Sequence, residues 1–189
     1  MSQPNQIEVA HRRVGRFAVR ESDLLHFEGL PGFPNARRFA LLRHDERPVS
    51  EQPFSWLACV DDLDLAFAVT DPCFFDPAYD PPLSPSTLDG LEAKARGDVV
   101  VLAIANLASD PPRLNLAAPL VIHLAAQLGV QAILEDAAEP LGQPVEMPEA
   151  SRQFGSSARL QSGPERGSRA QLLSGPEGQG AQIESKPQR

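Results

Sequence analysis

The chain has 189 residues, a formal net charge of −8, 42% apolar and 6% aromatic residues, and 19 prolines. Such a length holds one domain with a tail, or at most two small domains. No run of 18 or more apolar residues occurs and the opening MSQPNQIEVAHRR has no apolar stretch, so the sequence excludes a membrane-spanning helix, argues against an export signal and points to the cytoplasm.

In chain order the first 140 residues read as short strands separated by turns. Arg16–Val19 and Asp23–Phe27 open the series, and Gly29-Leu-Pro-Gly32 is a strong turn signal. Phe39–Arg43 and Phe54–Val60 follow. Asp61-Asp62 marks a turn before Leu65–Thr70, where Leu65, Phe67 and Val69 alternate with Ala66 and Ala68. That alternation predicts large side chains in a core and small ones beneath a closely packed neighbour. Asp71-Pro72 ends the run, because proline cannot donate to a ladder. A proline-rich loop then carries Phe74, Phe75 and Tyr79.

One short helix is predicted between Pro85 and Arg96. Either Ser84 caps it with Pro85 at the first helical position, or Ser86 and Asp89 form a capping box. Gly97 is a natural stop. Asp98–Leu107 is a valine-rich apolar run, predicted as a strand buried on both faces. Leu114–Leu116, Leu120–Leu124 and Val130–Leu134 complete about nine strands. The expected fold class is all-β: a small antiparallel sandwich or β-barrel-like domain with one short helix.

From residue 141 on only about a quarter of the positions are apolar, with seven Gly, seven Ser and five Pro, and Leu160-Gln-Ser-Gly-Pro-Glu165 returns as Leu172-Leu-Ser-Gly-Pro-Glu177. That composition cannot bury enough apolar area to offset chain entropy, so the tail is expected to be disordered. The expected division is a β-domain over 1–142 and a Gly/Ser/Pro-rich tail over 143–189.

Charge is placed unevenly. Residues 1–44 carry seven Arg against four acids, and residues 45–98 carry twelve acids against three basic residues. An acidic middle argues against nucleic-acid binding, which needs cations to displace counterions, and is compatible with a basic protein partner. No nucleophile elbow, phosphate loop, dinucleotide motif or paired-cysteine metal spacing occurs, so no catalytic residue, metal or cofactor is predicted. His11, His26, His44 and His123 stand without partner motifs. Cys59 and Cys73 read as buried free thiols. Asp61, Asp62 and Asp64 suit a hard cation or, more simply, a turn held by side-chain-to-backbone hydrogen bonds.

Several segments in order carry a resemblance. Gly29-Leu-Pro-Gly-Phe33 precedes Arg38-Phe-Ala-Leu-Leu42, and Phe54-Ser-Trp-Leu57 precedes Asp64-Leu-Ala-Phe67 and Val69-Thr-Asp-Pro72. Then come Asn115-Leu-Ala-Ala-Pro-Leu-Val-Ile122 and Gln131-Ala-Ile-Leu134. Together they resemble the FliW family of flagellar assembly factors over roughly residues 7–140. The resemblance implies a non-enzymatic, cytoplasmic β-barrel-like protein acting as a monomer. It would bind flagellin and antagonise CsrA, an RNA-binding translational repressor, so that flagellin mRNA is translated.

Candidate contact residues follow from position. Asn115, Ala118 and Pro119 lie in a polar-then-proline segment between strands. Asp71, Pro72, Phe74 and Phe75 place aromatics in a loop, where they either cover the core or anchor a partner. Gln131 and Glu135 bracket the last strand. The competing reading is a small-molecule-binding barrel, its pocket lined by Phe74, Phe75, Tyr79 and nearby acids, or another protein-interaction domain that docks through its tail.

Overall fold

The computed structural model describes residues 5–43, 53–134 and 143–146. Ten strands run in chain order: β1 (Gln6–His11), β2 (Gly15–Arg20), β3 (Leu25–Phe27), β4 (Arg38–Arg43), β5 (Phe54–Cys59), β6 (Ala66–Thr70), β7 (Val100–Asn106), β8 (Arg113–His123), β9 (Leu128–Gln131) and β10 (Gln143–Pro144). One short helix, α1 (Pro85–Gly90), lies between β6 and β7. The fold is all-β and barrel-like, as the turn spacing predicts.

Seven strands close on themselves in the order β8-β7-β6-β5-β4-β3-β9, with β9 pairing back to β8. Every pairing in this ring is antiparallel except β3 with β9, which run parallel over His26↔Leu128 and Phe27↔Gly129. β10 adds to the other end of β8, at Leu114 and Arg113.

The alternation in β6 sorts two cores. Val69 and Phe67 point inward to join Phe27, Phe39, Leu41, Leu57, Leu120 and Ile122, which fill the barrel. Ala66 and Ala68 face outward, in register with Ala58 and Trp56 of β5. Ala40 of β4 and Ala103 and Ala105 of β7 continue this small-residue surface. The β1–β2 hairpin lies on it, burying Val9, Phe17 and Val19. Small residues let the hairpin approach closely, and its large side chains then remove the alanine surface from water.

β1 was not predicted. Its inward positions are Ile7, Val9 and His11, and a histidine on the apolar face hides the alternation. His11 is only 3% exposed. Its Nδ1 accepts from the Arg13 N–H at 3.1 Å, so Nε2 carries the proton and donates to the Leu65 carbonyl at 3.0 Å. The ring joins the hairpin turn to the start of β6, and burial lowers its pKa.

Three further expectations change. The segments 114–116 and 120–124 are one strand, β8, because Pro119 sits in a bulge where no ladder N–H is required. The strand over 98–107 is covered on both faces only at its centre: Ala103 and Ala105 are buried beneath the hairpin and Leu102 and Ile104 are half-buried against the barrel core, while Val100 is exposed. Cys59 is buried but Cys73 is exposed, because it lies in a 3-10 turn on the proline-rich loop.

Turn chemistry follows the sequence closely. Leu30 and Phe33 exchange backbone hydrogen bonds across Pro31-Gly32, and Gly32 has φ +84°, the left-handed conformation a type II turn needs at that position. Ser84 Oγ accepts from the Thr87 N–H at 3.1 Å with Pro85 in the first turn, so α1 starts as the first capping alternative predicts. It ends at Gly90, well short of Gly97. Asp62 accepts from the Asp64 N–H at 3.0 Å, and Asp61 accepts from the Arg38 N–H at 2.9 Å. The three aspartates therefore shape and tether a turn, and among the described residues no group of three or more His, Cys, Asp or Glu could hold a metal.

Candidate functional site

The long strand β8 departs from regular pairing at its centre. Leu102 of β7 faces Leu120, yet Ile104 faces Asn115, so two steps along β7 correspond to five along β8. The surplus of three residues falls within Leu116–Pro119, which bulges from the wall. Bulges of this kind are common at barrel rims and re-aim side chains. Four hydrogen bonds from β8 itself, β9 and the chain just after β9 hold it. Asn115 Oδ1 accepts from the Ala118 N–H at 3.1 Å. Gln131 Nε2 donates to the Ala118 carbonyl at 2.9 Å. The Ala132 N–H donates to Pro119 and the Leu134 N–H to Ala117, both at 2.9 Å.

The chain after β9 thus lies alongside the bulge, while β3 leads away into the Leu30–Phe33 turn. The separation of β3 from β9 opens a groove of about 540 Å³. Leu30, Pro31, Ile133 and Leu134 form its rims, and Phe67, Ile104, Asn115, Ala118 and Gln131 line it as well. Ile133 is 71% exposed, the most exposed of the large apolar side chains described. Its backbone N–H meets no acceptor among the described residues.

Asn115, Ala118 and Gln131, chosen from sequence, therefore meet in one groove. Pro119, buried behind them, accepts the Ala132 N–H. Glu135 lies outside the described residues. Sequence reasoning missed Ile133, Leu134, Phe67 and the Leu30-Pro31 rim. The signal for Ile133 was an isoleucine directly after a strand end, which reads equally well as more strand.

The other four candidates lie elsewhere. Asp71 caps the 3-10 turn Pro72–Phe74, accepting from the Cys73 N–H at 2.9 Å. Phe75 packs on Phe54 of the hairpin-side core, with ring centroids 5.9 Å apart, and so covers the core. Phe74 stands edge-on to Phe75 at 5.1 Å and stays exposed. With Pro72 they wall a second groove of about 360 Å³, closed by Leu114, Leu116, Pro144, Val145 and Glu146. Tyr79 ties this loop to the bulge: its hydroxyl donates to the Leu116 carbonyl at 2.8 Å, and burial pushes its pKa up to about 12.

A filled barrel with an apolar groove and an exposed apolar side chain on its rim is the form of a protein-interaction module. The family profile for FliW protein matches residues 8–145. The chain is 35% identical over 138 residues to the flagellar assembly factor FliW of Syntrophus aciditrophicus, covering 71% of this chain and 85% of that protein. It is 33% identical over 136 residues to the flagellar assembly factor FliW of Caldicellulosiruptor bescii, covering 70% and 86%. A crystal structure of the flagellar assembly factor FliW superposes with a TM-score of 0.66 at 30% identity, over 76% of this chain and 99% of that one. The chain belongs to the FliW family of flagellar assembly factors.

Proposed function

We propose that this protein is a cytoplasmic, non-enzymatic flagellar assembly factor that binds flagellin and antagonises the translational repressor CsrA, working as a monomer through the groove beside the β8 bulge. The observation that carries this reading is Ile133, a large apolar side chain left in water on the rim of an apolar groove. Such a side chain costs nothing to desolvate beyond its own hydration and gains apolar area on contact, the profile of an interface anchor. The Ile133 backbone N–H beside it, which meets no acceptor among the described residues, is a donor for an extended or turn segment of a partner.

The acidic stretch over residues 45–98 supports the CsrA half of the reading. A protein that binds RNA presents a basic surface, and an acidic barrel complements it. The packed interior disfavours the small-molecule reading, since Phe27, Phe39, Leu41, Leu57 and Ile122 occupy the space a ligand would need.

Calorimetric titration of the purified protein with flagellin and with CsrA tests the proposal. Binding is expected for each, weakened by Ile133→Asp without change in the far-ultraviolet spectrum. Failure to bind either partner at tens of micromolar overturns it.

A further inference from the structure

The second groove has no part in the reading above. Its walls come from two distant stretches: the 3-10 turn with Pro72, Phe74 and Phe75, and the end of the described chain at Pro144, Val145 and Glu146. The Val145 N–H donates to the Pro112 carbonyl at 2.9 Å, so the chain is fixed there before residue 147. Everything that follows is tethered at the mouth of this groove, whose lining mixes Phe74, Leu114 and Leu116 with Asp76 and Glu146. We propose that the arginine-bearing segment 152–169 docks back onto this groove, with Phe154 meeting Phe74 and its arginines facing the acids around the rim.

The first support is distance. Phe154, the only aromatic residue after Phe75 and Tyr79, lies eight positions beyond Glu146. A flexible chain of that length spans roughly 16 Å on average, so the ring stays within reach of the groove. Tethering at this range supplies an effective concentration of order millimolar, enough for a contact too weak to form between separate molecules.

The second support is charge. Asp76 and Glu146 line the groove and Asp71 directly precedes its Pro72 wall, while Arg113 directly precedes Leu114. Residues 152–169 carry Arg152, Arg159, Arg166 and Arg169 against Glu165 alone. A net-negative rim faces a net-positive segment, and guanidinium groups also stack on exposed aromatic faces such as Phe74. The third support is chemistry: Phe74 remains exposed beside a groove whose floor is Leu114 and Leu116, and one aromatic side chain covers such a gap.

A spin label tests the contact in the full chain. Cys73→Ser removes the exposed native thiol, and Ser157→Cys places the label between Phe154 and Leu160. Amide signals of Phe74, Phe75 and Leu116 are expected to lose intensity, while those of Val130 and Ile133 keep theirs. The loss is expected to fade in 1 M salt, where the screening length falls to about 3 Å. It is also expected to fade in Asp71→Asn/Asp76→Asn, where each amide keeps one oxygen to accept the Cys73 or Ala78 N–H, and in Phe154→Ala. Loss that persists unchanged in these variants and in salt is tether proximity alone and overturns the proposal. Loss seen when labelled and isotope-enriched molecules are mixed assigns the groove to a second copy and also overturns it. An even loss over the barrel, or none, does the same.

Discussion

Gly129 and Phe27 face each other across the parallel pair that closes the barrel, and the Phe27 ring occupies the space where a side chain at 129 would project. A Cβ built on Gly129 falls inside the van der Waals envelope of the ring. Phe27 is buried and stands edge-on to Phe39 at 5.3 Å, so it has little freedom to withdraw. Gly129→Ala is therefore expected to destabilise the fold by about 1–3 kcal/mol, as overpacking of a dense core does. Urea unfolding midpoints compared at unchanged slope measure it.

Asp61 binds Arg38 twice. One oxygen takes the Arg38 backbone N–H at 2.9 Å and the other takes the guanidinium at 2.7 and 2.8 Å. Burial alone would raise its pKa, but the Arg38 side chain and backbone outweigh that and hold it below 3.8. A carboxyl lowered on folding contributes stability above its unfolded pKa and loses it as pH falls through the folded value. The wild-type protein is expected to lose stability as the pH drops below about 4, and Asp61→Asn to lose less over the same interval. Thermal melts at stepped acid pH show the difference in slope.

His11 behaves in the same sense for a different reason. Burial lowers its pKa below 6.5, and protonation at Nδ1 would set that nitrogen's proton against the Arg13 N–H. The unfolded chain binds the extra proton first, so stability is present above pH 6.5 and falls as the solution is acidified. Asp64 and Asp62 pull the other way and moderate the effect. His11→Gln is expected to be less stable at neutral pH and to show a shallower decline toward pH 5. Chemical denaturation across that range tests both statements.

Ile133 and Gln131 separate binding from folding. Ile133→Ala removes an exposed side chain and is expected to change stability by less than about 0.5 kcal/mol. Gln131→Ala removes the hydrogen bond to Ala118 and frees the bulge, with an expected cost of about 1 kcal/mol. Both are expected to weaken partner binding at least tenfold, the size of loss typical of anchor truncation. Melting and calorimetry on the same preparations distinguish the two variants.

The alternation of Phe67 and Val69 with Ala66 and Ala68 was legible because its physical cause is local: a strand shows two faces, and each face meets a different neighbour. The Gly29-Leu-Pro-Gly32 turn and the Ser84-Pro85 helix start were legible for the same reason. β1 was not, since His11 is inward-facing through two hydrogen bonds that only tertiary structure supplies. Nor was the continuity of β8, since Pro119 reads as a break until the bulge is known. The groove was half legible. Asn115, Ala118 and Gln131 carry polar or turn signals, but Ile133 and Phe67 look like ordinary strand residues until the divergence of β3 from β9 exposes one and makes the other a wall. Asp71 and Phe74 had the same local signals and lie in a separate groove, a distinction that spacing along the chain does not contain.

The two-pair seam between β3 and β9 joins segments roughly a hundred residues apart, whereas nearly every other ring pairing joins neighbours in sequence. During synthesis β4 to β8 can form a meander as they emerge, but the cylinder cannot shut until Leu128 and Gly129 have left the ribosome. Until then Phe27 and Phe39 lie on an unclosed sheet. Closure thus waits for β9, and the groove that follows Gln131 is complete only once the cylinder has shut.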